Sequence, residues 1–148
     1  MRVEIKIDLD IAQTTAIIHT PEITPELIAL VEVLKGSEDR ASVLVAKDDD
    51  KFFVIEPEQV EIIRAEGGEI KAYNTKSEVF PVSKPLTEIL ESMPSNFVRI
   101  SKSAIVNISR VDHLSNSFNG TMYIVMKNGV GDYISRKYLG DFKKRLGM

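Results

Sequence analysis

The stretch 97-FVRISKSAIVN-107 decides how this chain reads. It sets two cations and two hydroxyls, Arg99, Ser101, Lys102 and Ser103, into five positions between apolar anchors. Phe97, Val98 and Ile100 precede them, and Ala104, Ile105 and Val106 follow. Phe97–Ile100 reads as a strand, so Ser101–Ser103 falls in a tight turn, with Arg99 on the solvent face beside it. A second basic cluster, Ser135-Arg136-Lys137, comes about thirty residues later, where a helix begins. Short donors and cations held on a rigid apolar base suit a polyanion better than a reaction centre.

Outward from this stretch, the pattern is mostly β. Lys51 onward reads as short strands at Phe52–Ile55, Val60–Arg64, Glu69–Asn74 and Glu78–Val82, with Gly67-Gly68 as a hairpin turn. Pro85–Met93 is a short helix stopped by Pro94. Val111–Ser115, Thr121–Lys127 and Val130–Ile134 complete the β set, the last two joined by Asn128-Gly129 as a two-residue hairpin. A final helix spans about Ser135–Leu146, with Tyr138, Leu139, Phe142 and Leu146 as its buried stripe. Phe52, Phe53, Phe80, Phe97 and Phe142 read as core.

The front of the chain has a different texture. Arg2–Asp8 alternates charged residues with Val3, Ile5, Ile7 and Leu9, the period of a half-buried strand, and Thr14–Thr20 is a second β-branched run. Thr24-Pro25 supplies an N-cap and first-turn proline for a helix that Gly36 ends. Ala41–Ala46 is a strand entering the Asp48-Asp49-Asp50 turn. A boundary in the 37–50 region divides the chain into a small acidic α/β segment, 1–44, and a larger unit, 45–148. The expected fold class is mainly β (α+β): an elongated β domain with short helices and a C-terminal helix, preceded by a strand-strand-helix piece.

Totals bound the possibilities. The sequence has 148 residues, 43% hydrophobic and 28% charged, ordinary for a globular protein. It has no cysteine, hence no disulfide or thiolate chemistry, and its charged, alternating start is neither signal peptide nor anchor. A soluble, cytoplasmic setting with no membrane contact is expected. The net charge of −3 conceals a split. Residues 1–60 carry 6 Lys+Arg against 13 Asp+Glu, whereas residues 95–148 carry 9 against 3. An acidic front and a basic back fit a chain of which one part touches phosphate.

Enzyme and metal readings are weak. His19 and His113 stand in strand-like contexts without a nearby ligand set, and Asp48–Asp50 lacks calcium-loop spacing. Gly67-Gly68 belongs to no phosphate loop. No catalytic residue, cofactor or metal is expected. At the last helix, Arg136 and Lys137 oppose the positive end of the macrodipole, costing about 0.3–1 kcal/mol each. A bound anion, accepting from the free amides there, would relieve that cost. The competing explanation is a carboxylate such as Asp132 neutralising the pair. For Ser101 and Ser103, it is hydroxyls bonding their own backbone.

Residues of about 45–148 resemble the LytTR (LytR/AlgR-type) DNA-binding domain of bacterial transcriptional regulators. The resemblance rests on 60-VEIIRAEGGEIKAYN-74, 85-PLTEILESMP-94, 97-FVRISKSAIVNISRVDHL-114 and 121-TMYIVMKNGVGDYISRKYLGDFKKRL-146. It implies an elongated β domain whose loops enter successive major grooves of double-stranded DNA. On this sequence it marks the Ser101-Lys102-Ser103 turn as one inserting loop and Arg136-Lys137 as the other. Lys102 and either Arg136 or Lys137 become base readers; Arg99, Ser101 and Ser103 serve phosphate, and Lys143 and Lys144 join the DNA-binding set. Asn107 takes a structural role. Two departures stand out: Ser101 where many members have histidine, and a Glu66–Glu69 loop with two glutamates and two glycines. Residues 1–44 lie outside the resemblance and are too few for a phosphoacceptor receiver domain, so no phosphorylation switch is expected. They are expected to pack on the β unit or to pair with a second copy, giving a homodimer. The alternative is a non-enzymatic protein-interaction or ligand-sensing module with an incidental basic surface.

Overall fold

A computed structural model of the chain describes residues 2–7, 9–10, 15–39 and 43–148. Its body is a five-stranded antiparallel sheet built from β3 (Val60–Glu66), β4 (Glu69–Asn74), β5 (Val79–Val82), β6 (Phe97–Ser101) and β7 (Ala104–Asn107), ordered β5-β4-β3-β7-β6. A three-stranded sheet of β8 (Val111–Asn116), β9 (Met122–Met126) and β10 (Gly131–Ile134) has β9 at its centre. A separate hairpin, β1 (Leu44–Asp48) with β2 (Lys51–Ile55), has β1 beside β5. Three helices, α1 (Pro25–Asp39), α2 (Leu86–Ser92) and α3 (Arg136–Arg145), complete the described elements.

The larger sheet is buried on both faces, which explains its apolar centre. Ile63 and Ile105 are opposed on β3 and β7 and face one core, with Leu44, Ala46, Leu86, Ile89 and Phe97. Ile62 and Val106 are likewise opposed and face a second core, with Ile100, Ile124, Met126, Ile134 and Phe142. α2 helps to close the first core and α3 the second, so β7 and the first half of β3 are buried between them.

A bulge on β3 explains a buried charge. The register moves from Val60↔Asn74 to Ile62↔Tyr73, leaving Glu61 as the extra residue with its side chain fully buried. Arg110 follows it in, donating through Nε (3.0 Å) and pairing through Nη2 (2.9 Å) to Glu61 Oε1. Asn107, also buried, closes the neighbouring space: its amide donates to the Val60 carbonyl (3.0 Å), and its oxygen accepts from Asn96 (2.8 Å) and the Ser109 amide (3.0 Å). That is the structural role expected of it.

Several boundaries depart from the sequence reading. Residues 2–7 and 15–20 join no strand ladder; Asp8 and Thr14 lie outside the described residues. The Thr24 cap is present, accepting from Leu27 N–H (3.2 Å), but α1 runs through Gly36 to Asp39. One glycine inside a helix costs only about 1 kcal/mol relative to alanine, too little by itself to end it. The strand expected at Ala41–Ala46 is Leu44–Asp48, residues 41 and 42 lying outside the described set. The β9–β10 connection is a three-residue loop rather than two: Met126 N–H bonds the Val130 carbonyl (2.9 Å) and Gly129 takes φ +88. Phe52 is 67% exposed, not core, because alternate residues of the β1–β2 hairpin face away from the sheet.

Glu61 is fully buried while Arg110 keeps a third of its side chain exposed, so removing Arg110 leaves a carboxylate without its partner in low dielectric. Arg110→Ala is expected to lower unfolding free energy by roughly 3 kcal/mol in urea titration. A loss below about 1 kcal/mol would mean that water reaches Glu61.

Candidate nucleic-acid interface

The β6–β7 connection is a two-residue turn, Lys102-Ser103, at the tip of the larger sheet. Its serines shape the turn: Ser101 Oγ accepts from the Ser103 amide (3.1 Å) and lies 3.2 Å from Ser103 Oγ. The Ser103 carbonyl accepts from Ala65 N–H on β3 (2.8 Å), so the tip is fastened to the sheet. Arg99 is half-buried and folded back on the turn. Its Nε donates to the Ser101 carbonyl (3.0 Å), Nη2 to the Lys102 carbonyl and Nη1 to Thr87 Oγ1 (3.4 Å). It therefore braces the loop, and only its remaining donor capacity is open to an anion. Lys102 projects exposed from this braced tip.

The second basic cluster is held beside the first by the backbone. A bulge on β6, between the pairs Arg99↔Ile105 and Ser101↔Ala104, leaves Ile100 as the extra residue. Its carbonyl accepts the Ser135 N–H (2.9 Å), and Ser135 is the N-cap of α3. The mouth of α3 is thus tied to the residue adjoining the β6–β7 turn. Ser135 makes no side-chain cap, and the first turn has no acidic residue. Arg136 and Lys137 are exposed; the stem of Arg136 runs past Gly120, and the Lys137 ammonium lies 5.6 Å from the Tyr138 ring centre.

None of Arg99, Lys102, Arg136, Lys137, Lys143 or Lys144 forms an ion pair among the described residues. Asp132, the carboxylate considered for neutralising the α3 mouth, is turned to Arg64 instead (3.7 Å). Lys143 and Lys144 sit seven residues beyond Arg136 and Lys137, so each shares its counterpart's helix face, roughly 10 Å further along. Lys144 is exposed and Lys143 half-buried.

A feature missed in the sequence lies between the sheets. Arg64 on β3 donates to the Gly131 carbonyl (3.1 Å) and the Tyr73 hydroxyl (3.3 Å), linking the larger sheet to β10. Tyr73 in turn donates to Glu66 Oε2 (2.5 Å). No local pattern flagged this cluster, because its members come from three strands. The Tyr73 hydroxyl, helped by Arg64 and Lys71 and opposed by partial burial, holds the Glu66 carboxyl below its ordinary value of 4.5. Also unread in sequence was an aromatic group of Tyr123, Tyr133 and Phe118, with ring centres 4.9 and 6.2 Å apart in successive pairs.

The LytTr DNA-binding domain family matches residues 50–147. The chain belongs to that family. Both cationic tips fall inside the matched span. A LytTr DNA-binding domain of a methyl-accepting/DNA response regulator from Bacillus cereus shares the fold, with a TM-score of 0.67 at 23% identity over 72% of this chain and 98% of that one. The sensory transduction protein LytT of Enterococcus faecalis is 24% identical over 77% of this chain, which spans only 46% of that relative. An HTH-type transcriptional regulator of Staphylococcus aureus is 26% identical over 100% of this chain and 99% of its own length, so the likeness includes the front segment. Taken together, these place the chain among DNA-binding transcriptional regulators. No two consecutive helices form a helix-turn-helix among the described residues, because strands separate all three.

Because the folded Glu66 carboxyl titrates below its unfolded value, it adds stability above about pH 4.5 that fades as pH falls through the folded value. Tyr73→Phe is expected to raise the Glu66 titration midpoint toward the ordinary value, read by carboxyl NMR, and to flatten the acid limb of the stability profile. An unchanged midpoint would assign the depression to Arg64 and Lys71 alone.

Proposed function

We propose that the chain is a cytoplasmic, non-enzymatic regulator that reads a specific duplex DNA site as a homodimer. In this reading residues 45–148 grip DNA and residues 1–44 serve self-association. The observation that supports it is the Ser135 N–H to Ile100 carbonyl bond, which holds two unneutralised cationic tips side by side. The amides of the first turn of α3 are oriented for a backbone phosphate, as helix N-termini are. Lys102 and either Arg136 or Lys137 then reach neighbouring base edges of one stretch of duplex, with Lys143 and Lys144 following the phosphates along the helix. Ser101 and Ser103 hold the first loop in shape and offer their hydroxyls to phosphate, while Arg99 stiffens it. No described helix is long and apolar enough to cross a membrane.

Selection of bound sequences from a random duplex pool is the direct test of specificity. Enrichment of one motif supports the reading; no enrichment at low salt contradicts it. On the enriched site, Lys102→Ala is expected to cost about 1–3 kcal/mol and to relax preference at one base pair. Arg136→Ala and Lys137→Ala together are expected to lower the slope of log affinity against log salt by about 1–2. A uniform loss across sequences for Lys102→Ala would make it a phosphate contact instead.

A further inference from the structure

Among the described residues, fourteen of the eighteen exposed large apolar side chains lie within the first 54 positions. Val3, Ile5 and Ile7 are 73%, 88% and 87% exposed, and residues 2–7 bond to no strand. Solvated apolar surface on this scale marks an interaction site. The sequence of that segment also says what covers it.

We infer that residues 2–8 pair antiparallel with the same segment of a second copy, about a two-fold axis through Ile5. This deepens the dimer reading above and rests on it. In that register Glu4 stands opposite Lys6 of the second copy, and Arg2 opposite position 8, an aspartate. Val3 stands opposite Ile7, and Ile5 opposite itself, so all apolar residues fall on one face. Two-folds through Val3 or Ile7 also oppose unlike charges but pair only one end of the segment, and the nearer registers fail on charge or pattern. A two-fold through Glu4 sets Arg2 against Lys6, and one through Lys6 sets Glu4 against Asp8; both put like charges together. A two-fold between Ile5 and Lys6 sets Val3 against Asp8 and Glu4 against Ile7. Parallel in-register pairing puts each charge against its own kind. Cross-strand unlike charges stabilise and like charges destabilise, so the alternation favours the register that pairs the whole segment.

A two-stranded ribbon is marginal by itself and needs a surface beneath its apolar face. The outward face of the β1–β2 hairpin supplies one: Val45 and Val54 are opposed there, with Phe52 beside them, all exposed. β1 packs beside β5, and β5 and β6 are the two opposite edges of the larger sheet. Pairing there leaves the Lys102 tip free for DNA.

Sedimentation equilibrium of the full chain without DNA, at low salt, tests the register. Glu4→Lys and Lys6→Glu are each expected to weaken dimerisation about tenfold, since each substitution turns two symmetry-related pairs from unlike to like. The double variant E4K/K6E is expected to return to within about twofold of the parent. An equimolar mixture of the two single variants is expected to associate more tightly than either alone. Single variants that dimerise like the parent, or a double variant no better than the singles, would overturn the register while leaving a dimer by another surface. A parent chain that is monomeric at several hundred micromolar would overturn the dimer as well. DNA retardation by that monomer would still stand as a separate result.

Discussion

A hydrogen bond between two backbone groups, Ser135 N–H to the Ile100 carbonyl, is the constraint on which the interface depends. A regular β6 would have committed that carbonyl to ladder geometry; the bulge between Arg99 and Ser101 turns it toward α3. Packing enforces the same arrangement, because Ile100, Ile134 and Phe142 are fully buried in one core. A helix mouth without an acidic residue and a turn carrying Lys102 are thereby held as neighbours. Two like-charged tips kept this close are a cost to the free protein that a polyanion removes.

The rest of the β unit keeps those tips from yielding. Arg99 spends its guanidinium on the turn's own carbonyls, Ser103 is fastened to β3, and Arg64 bridges β3 to β10. Asn107 and the Glu61–Arg110 pair fill polar positions in the interior with directed bonds rather than apolar contact. A frame of this kind suits loop-borne recognition, where a tip displaced by an ångström loses its groove contacts.

Local pattern carried most of the fold into view. Gly67 and Gly68, both at positive φ, mark the β3–β4 turn as their sequence implies, and the stripe of Phe142 and Leu139 fixes α3. Features assembled from distant strands were not legible. Glu61 reads as an exposed strand residue until the bulge rotates it inward, and the Arg64–Tyr73–Glu66 cluster has no contiguous signature. Phe52 was misread for a related reason: an apolar residue on a hairpin signals burial only when something lies on that face. The cationic tips were visible because turns and helix starts are local. Arg99's inward role was not, since it depends on where the turn's carbonyls point.

A Lys102 turn and an α3 mouth held as neighbours are expected to meet one ligand together. Amide NMR during titration with the selected duplex tests this most directly. Residues 101–103 and 135–137 are expected to shift at the same DNA equivalents and more than any other segment. Shifts concentrated on β8 or on the 49–50 turn, with both tips unmoved, would contradict it.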